Sequence, residues 1–184
     1  MAQLTWNPRA DGNAIMDDYY KRGFGPAGKD IKAYWELFEN ARDNYLKKHA
    51  SLDYKKDKYL YSEIYTPKLM AQAEKLLNQA DSRVAKNSIY HKRINFIRLG
   101  LDYSTLMAEN FRLMKKWKVT RDKATANKVR ANWDKIKKIW AKDSNAFFSP
   151  WLKPTGPRMV GYHPDHMTFS RKKKPKLKTG LDLD

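Results

Sequence analysis

Cysteine is absent from this 184-residue sequence, which excludes disulfides, thiol catalysis and zinc-thiolate sites together. The same absence leaves the redox compartment open, because exported chains also lack cysteine. No apolar run reaches the roughly eighteen residues of a membrane span, and the opening MAQLTWNPRADG has neither the basic nor the apolar region of a signal peptide. As written, the chain is expected to be soluble, unexported and without a membrane partner. Valine occurs only at Val84, Val119, Val129 and Val160, and glycine only eight times, whereas helix formers abound. The scarcity of β-branched residues argues against sheets, so an all-α fold is expected. With 41% hydrophobic residues the chain can still bury a real core.

Acidic residues are in deficit, 20 against 38 basic ones, giving a formal charge of +18. A field of that size attracts nucleic acid, lipid headgroups or acidic glycans without choosing among them. Its distribution decides more. The terminal RKKKPKLK supplies Arg171, Lys172, Lys173, Lys174, Lys176 and Lys178 as candidate polyanion contacts. The other cations lie along helical segments, where lysine keeps a surface soluble without binding anything. A Lys/Arg patch on one face, rather than dispersed charge, would favour a nucleic-acid or other polyanion-binding module.

Apolar spacing places five helices. The first runs over about 11–22, with Asp11 or Asn13 near its N-cap. The second runs from Pro26 to about His49, with Ile31, Tyr34, Trp35, Phe38, Ala41, Tyr45 and Leu46 in one stripe. ASLDYKKDKYLYSEIY breaks the period and reads as a tyrosine-rich connection. Thr66 as N-cap and Pro67 at the first helical position restart the pattern. Ser88 opens a long central helix to about Trp117, apolar on two faces, Ile94, Ile97, Leu101, Ala108 and Phe111 on one and Phe96, Leu99, Tyr103 and Leu106 on the other. Thr120 or Asp122 opens the last, to about Lys142, with Val129, Trp133, Ile136 and Trp140 inward. Short connections make an antiparallel bundle of about five helices the simplest architecture, over 1–142, with Leu76, Ile97, Leu101 and Trp133 in its core. Residues 143–170, rich in proline and aromatics, are expected to be extended and packed against something, and 171–184 to be a mobile basic tail.

GFGPAGK, Gly23 to Lys29, satisfies G-x-G-x-x-G, a phosphate-binding pattern only where a strand leads into it. What precedes it has helical spacing. The stretch therefore reads as a corner between helices, with Gly23 just past a helix end and Pro26 in the first turn of the next.

Further along, YHPDH gathers His163, Asp165 and His166, whose donors suit a divalent ion. The other histidines, His49 and His91, are remote, and the intervening proline suits a turn in which Asp165 accepts backbone N–H bonds. No metal and no cofactor is expected. Trp151 and Tyr162, with Phe169, either stack on a sugar ring or pack on the bundle. With His163, Asp165 and His166, Trp151 and Tyr162 are the candidate ligand contacts.

The segments LTWNPRADGNAIMDDYYKRGFGPAGKDIKAYWELFE, IYTPKLMAQAEKLLNQA and RINFIRLGLDYSTL together resemble the helical C-terminal region of bacterial glycoside-hydrolase-like proteins grouped under a domain of unknown function. The resemblance covers about residues 1–110 and rests most on the WNP turn, the GFGPAG corner and the YTP helix start. In such proteins this region follows a (β/α)-barrel holding the substrate pocket and the acidic catalytic residues. Here Met1 falls inside the matching region, so the chain is either a fragment or a stand-alone helical remnant. Glycoside hydrolysis needs two carboxylates about 5–10 Å apart. Asp17 and Asp18 diverge on a helix, and Glu36 with Glu39 reads as a salt-bridged surface pair. The resemblance thus implies a non-catalytic accessory domain that buttresses a catalytic barrel and lines one edge of its glycan cleft. A polyanion-binding module and a small enzyme with a pocket between helices are the other readings.

Overall fold

The computed structural model describes residues 11–49 and 60–142, which form six α-helices and one 3₁₀ turn, with no strand among the described residues. The expected segment 143–170 and basic tail 171–184 lie outside the described residues. Local capping chemistry fixes where most helices begin. Asp11 accepts from the Asn13 backbone N–H at 2.8 Å and opens α1, Gly12–Phe24. Gly25 follows at φ +54°, sending its N–H back to the Lys21 carbonyl and turning the chain through a 3₁₀ turn, Gly25–Ala27, into α2, Gly28–Lys48. This corrects the expectation for Gly23, which lies inside the last turn of α1; the positive-φ residue is Gly25. Pro26 opens the 3₁₀ turn rather than α2 itself. A strand-to-helix phosphate loop is ruled out here, since helices flank the glycines and the Gly25 and Gly28 N–H groups are spent on Lys21 and Gly25 carbonyls.

Within the tyrosine-rich stretch expected to be a connection, Leu60–Ile64 forms a short helix, α3. Five residues are too few for any period to show. A distant side chain closes its C-terminal end: the Arg112 guanidinium donates to the Ser62 and Tyr65 carbonyls at 3.4 and 2.9 Å. Thr66 then accepts from the Leu69 N–H at 3.2 Å and starts α4, Pro67–Ser82. Ser88 does the same for His91 at 3.1 Å and starts α5, Ile89–Thr120, a helix of 32 residues.

Arg121 makes the next turn in a left-handed conformation, φ 55°, with its guanidinium 4.3 Å from the Trp117 ring centroid. Asp122, not Thr120, caps α6, Lys123–Lys142: its carboxylate accepts from the Thr125 N–H at 2.7 Å and from the Thr120 and Thr125 hydroxyls at 2.6 and 2.8 Å. Those bonds, Thr120 first, hold the Asp122 carboxyl down at about 2. A depressed folded value contributes stability above the ordinary carboxylate range of about 4, lost as pH falls towards 2. Acid titration followed by NMR should therefore show the Thr125 amide and the Asp122 carboxyl shifting together near pH 2. A midpoint near 4 would remove the cap.

Cross-helix contacts give the directions. Lys32 meets Asp17 at 2.7 Å, Arg83 meets Asp30, and Phe38 meets Tyr65 at 5.7 Å, so α2 runs antiparallel to α1 and to α4. His91 against Asp81 and Arg112 against Tyr65 make α5 antiparallel to α4. Tyr103 beside Trp140 and Asn110 beside Asn132 do the same for α5 and α6. The antiparallel bundle is thus observed, with its buried residues in two clusters. One joins α1, the turn, α2, α4 and the first half of α5 through Phe24, Ile31, Tyr34, Ala73, Leu77, Ile94 and Leu101. The other joins the second half of α5 to α6 through Met107, Phe111, Met114, Trp117, Val129, Trp133 and Ile136. Leu101 and Trp133 are buried as expected. Leu76 and Ile97 are only half-buried at the flank of the first cluster, and their neighbours Leu77 and Ile94 fill its centre.

Candidate interaction face

On α1, Tyr20 and Phe24 turn inward, so Tyr19, one residue before Tyr20 and about 100° round the helix, faces out. It is 53% exposed and rests edge-on against both. On α2, Tyr34 is buried and Trp35 beside it is 41% exposed, its ring edge-on to Tyr34 at 5.1 Å. On α5, Phe96 stands between the inward positions Ile94 and Ile97 and is 55% exposed. The expectation that Phe96 sits within a second buried seam is thereby corrected. Its partners Leu99, Tyr103 and Leu106 are half-buried, so the second face of α5 is shallow.

Tyr19, Trp35 and Phe96 surround one hollow of about 450 Å³, floored by Phe24 and Ile97 and edged by Lys92 and Arg93. A second hollow of about 540 Å³ shares Tyr19, Phe24 and Arg93 and continues along Ile15, Asp18, Arg22 and Gly23. Arg93 is fixed by a 2.7 Å bond from Nη1 to the Gly23 carbonyl, and Arg22 is taken up by Asp18 at 2.7 Å. The face therefore offers three large rings around a fixed cation. Isolated exposed apolar residues need no explanation, whereas grouped ones are the usual feature of interaction surfaces.

The polar clusters are structural. Asp81, at the end of α4, accepts from Lys86 Nζ and from His91 Nδ1, while His91 Nε2 accepts from Asn95 at 2.9 Å. Both ring nitrogens of His91 are thus hydrogen-bonded, and the trio clasps α4 to α5. The Lys86 bond and, beyond it, the His91 bond outweigh burial and hold the Asp81 carboxyl below its ordinary value. Asp17 and Asp18 diverge, each to its own cation. Glu36 and Glu39 are surface groups on α2, as expected, but neither is in the expected ion pair among the described residues. No three His, Cys, Asp or Glu side chains converge to hold a metal ion among the described residues. Nor is any described helix long and apolar enough to cross a membrane.

Trp151, Tyr162, His163, Asp165 and His166, and Arg171, Lys172, Lys173, Lys174, Lys176 and Lys178, lie outside the described residues. The charge within the bundle, however, is not dispersed. Residues 109–142 carry twelve Lys/Arg against three Asp/Glu, a net +9, half of the total for the chain. Comparison with known proteins finds no matching family model, no matching curated protein and no matching solved structure.

Proposed function

We propose that this chain is a non-catalytic helical accessory domain of a carbohydrate-active, glycoside-hydrolase-like protein, and that the Tyr19–Trp35–Phe96 face is where it meets the catalytic barrel. The observation carrying the docking role is the group of three exposed rings around one hollow. The resemblance of residues 1–110 supplies the kind of partner. Large rings suit such an interface because they bury much area at little entropic cost, and a few of them usually carry most of the binding energy.

The test begins with the reading frame upstream of Met1. If it encodes a barrel, that barrel is produced separately and titrated with this chain. Trp35→Ser and Phe96→Ser should each weaken association by about 10-fold or more, as anchor residues do when truncated. A barrel that binds both variants as tightly as the parent chain, or an upstream frame with no barrel, would overturn the reading. The chain alone is expected to leave aryl-glycosides intact. Turnover abolished by Glu36→Gln or Glu39→Gln would show an active site on α2 instead.

A further inference from the structure

The helices α4 and α6 both lie against α5 and leave a groove between them of about 780 Å³, on a scale usual for ligand sites of about 300–1,000 Å³. Its floor is apolar, built from Met70, Leu101, Leu106 and Ile139. One rim belongs to α6. Lys135, Lys138 and Lys142 recur at i, i+3 and i+7, so they stand in one row, all exposed, and none is in an ion pair among the described residues. The opposite rim is acidic, with Glu74 from α4 and Asp102 from α5, both likewise without an ion pair among the described residues. A third carboxylate, Glu109, is already engaged by Lys128 and Asn132.

Such a site sorts ligands by chemistry. A phosphodiester strand would satisfy the lysine row but offers few hydroxyl donors to Glu74 and Asp102, and no aromatic ring lines the groove to stack a base. A neutral sugar would leave the lysine row unanswered. A chain of pyranose rings carrying carboxylates has three matching features: anions for the lysines, hydroxyl donors for the carboxylates, and C–H faces for the apolar floor. We propose that the α4–α5–α6 groove binds an acidic oligosaccharide, its carboxylates against Lys135, Lys138 and Lys142 and its hydroxyls donating to Glu74 and Asp102. Burial within the groove raises the Asp102 carboxyl, the strongest influence on it, with Arg98 and Lys142 opposing and Glu74 adding. That carboxylate gains from the hydroxyl donors a sugar provides. The site lies on different residues from the aromatic face, and it stands whether or not that face docks a barrel.

The experiment is a titration of the full chain with a trisaccharide of galacturonic acid, read by calorimetry and by amide chemical shifts, beside the neutral galactose trisaccharide. The uronate should bind, perturb amides around Leu101–Glu109 and Lys135–Lys142, and weaken as salt is raised. Removing two charge-assisted contacts in Lys138→Ala/Lys142→Ala should cost about 10-fold or more in affinity. Trp35→Ala, on the other face, should leave affinity unchanged. Both lysines are exposed, so the double variant should keep the parent's thermal unfolding midpoint; shift mapping on the unaltered chain serves if it does not. Absence of uronate binding, equal binding of the neutral sugar, or shifts confined to residues outside the groove would overturn the proposal. So would a single-stranded oligonucleotide that binds through the same lysines where the uronate does not.

Discussion

Trp133→Ala is expected to destabilise the chain by about 3–5 kcal/mol, the usual cost of removing a fully enclosed large side chain. Trp133 is 1% exposed and lies between Val129 and Ile136, one turn away on either side, in the cluster that α6 builds with Phe111, Met114 and Trp117 of α5. The Trp140 ring meets it edge-on at 6.1 Å. A two-helix seam has few other large groups to collapse into the space, so relaxation recovers little. Leu101→Ala, in the other cluster and 3% exposed, should cost about 2–5 kcal/mol. Since the two residues belong to different clusters, their effects should add to within about 0.5 kcal/mol. Urea unfolding followed by far-ultraviolet dichroism measures both. A loss below about 1 kcal/mol for Trp133→Ala would mean that the site closes over the cavity and that the seam is looser than its burial implies.

What could be read from the sequence and what could not divide along a physical line. Thr66 and Ser88 were legible as caps, and Asp11 and Asp122 as one of two choices each, because a cap is a bond between a side chain and an N–H two or three residues away. The all-α class followed from the same local logic of propensity and period. Leu76 against Leu77 and Ile97 against Ile94 were not resolvable, because a stripe of about 100° admits either residue until a partner helix fixes the rotation. Phe96 is the sharper case: apolar spacing marks it as a core residue, and only the placement of α1 and α2 shows that the face it shares with Tyr19 and Trp35 is left open. The helix α3 is bonded by Arg112, 50 residues beyond Ser62. The groove is assembled from three helices, so Glu74, Asp102 and Lys138 carry no common signature. Nor does the buried bond from Asn132 to Asn110, 22 positions apart, which places a polar contact in the second cluster. A cue for the lysine row did exist, the concentration of positive charge in residues 109–142, but a helical lysine is ordinarily a solvated one, and the groove had to be seen to give three of them a common direction.

The glycine corner gives the clearest test of a corrected reading. Gly25→Val should be strongly destabilising for two separate reasons. At φ +54° and ψ −125° the backbone lies outside the left-handed helical region that other residues can enter, in one almost restricted to glycine, and a β-branched side chain is the least able to adopt it. In addition, a Cβ at Gly25 would stand 2.7 Å from the Tyr90 ring and force it to move. Gly28 has an ordinary helical backbone, φ −54°, so any strain there is purely steric: a Cβ would lie 2.8 Å from the Tyr20 carbonyl oxygen. Because the obstacle is backbone, Gly28→Ala must push α1 away from α2, at an overpacking cost of about 1–3 kcal/mol. Gly23 is the internal control. Nothing lies within 4 Å of a Cβ built there, so Gly23→Ala should gain about 0.5–1 kcal/mol from helix propensity alone. Lys29→Ala, exposed beside the corner, should move stability by less than about 0.5 kcal/mol and alter no nucleotide binding, because the glycine N–H groups are already committed. Thermal unfolding of the four variants sets them in order. If Gly23→Ala proved more damaging than Gly25→Val, the positive-φ position would be misplaced by two residues; if Lys29→Ala abolished a measurable affinity for ATP, the corner would be a phosphate site after all.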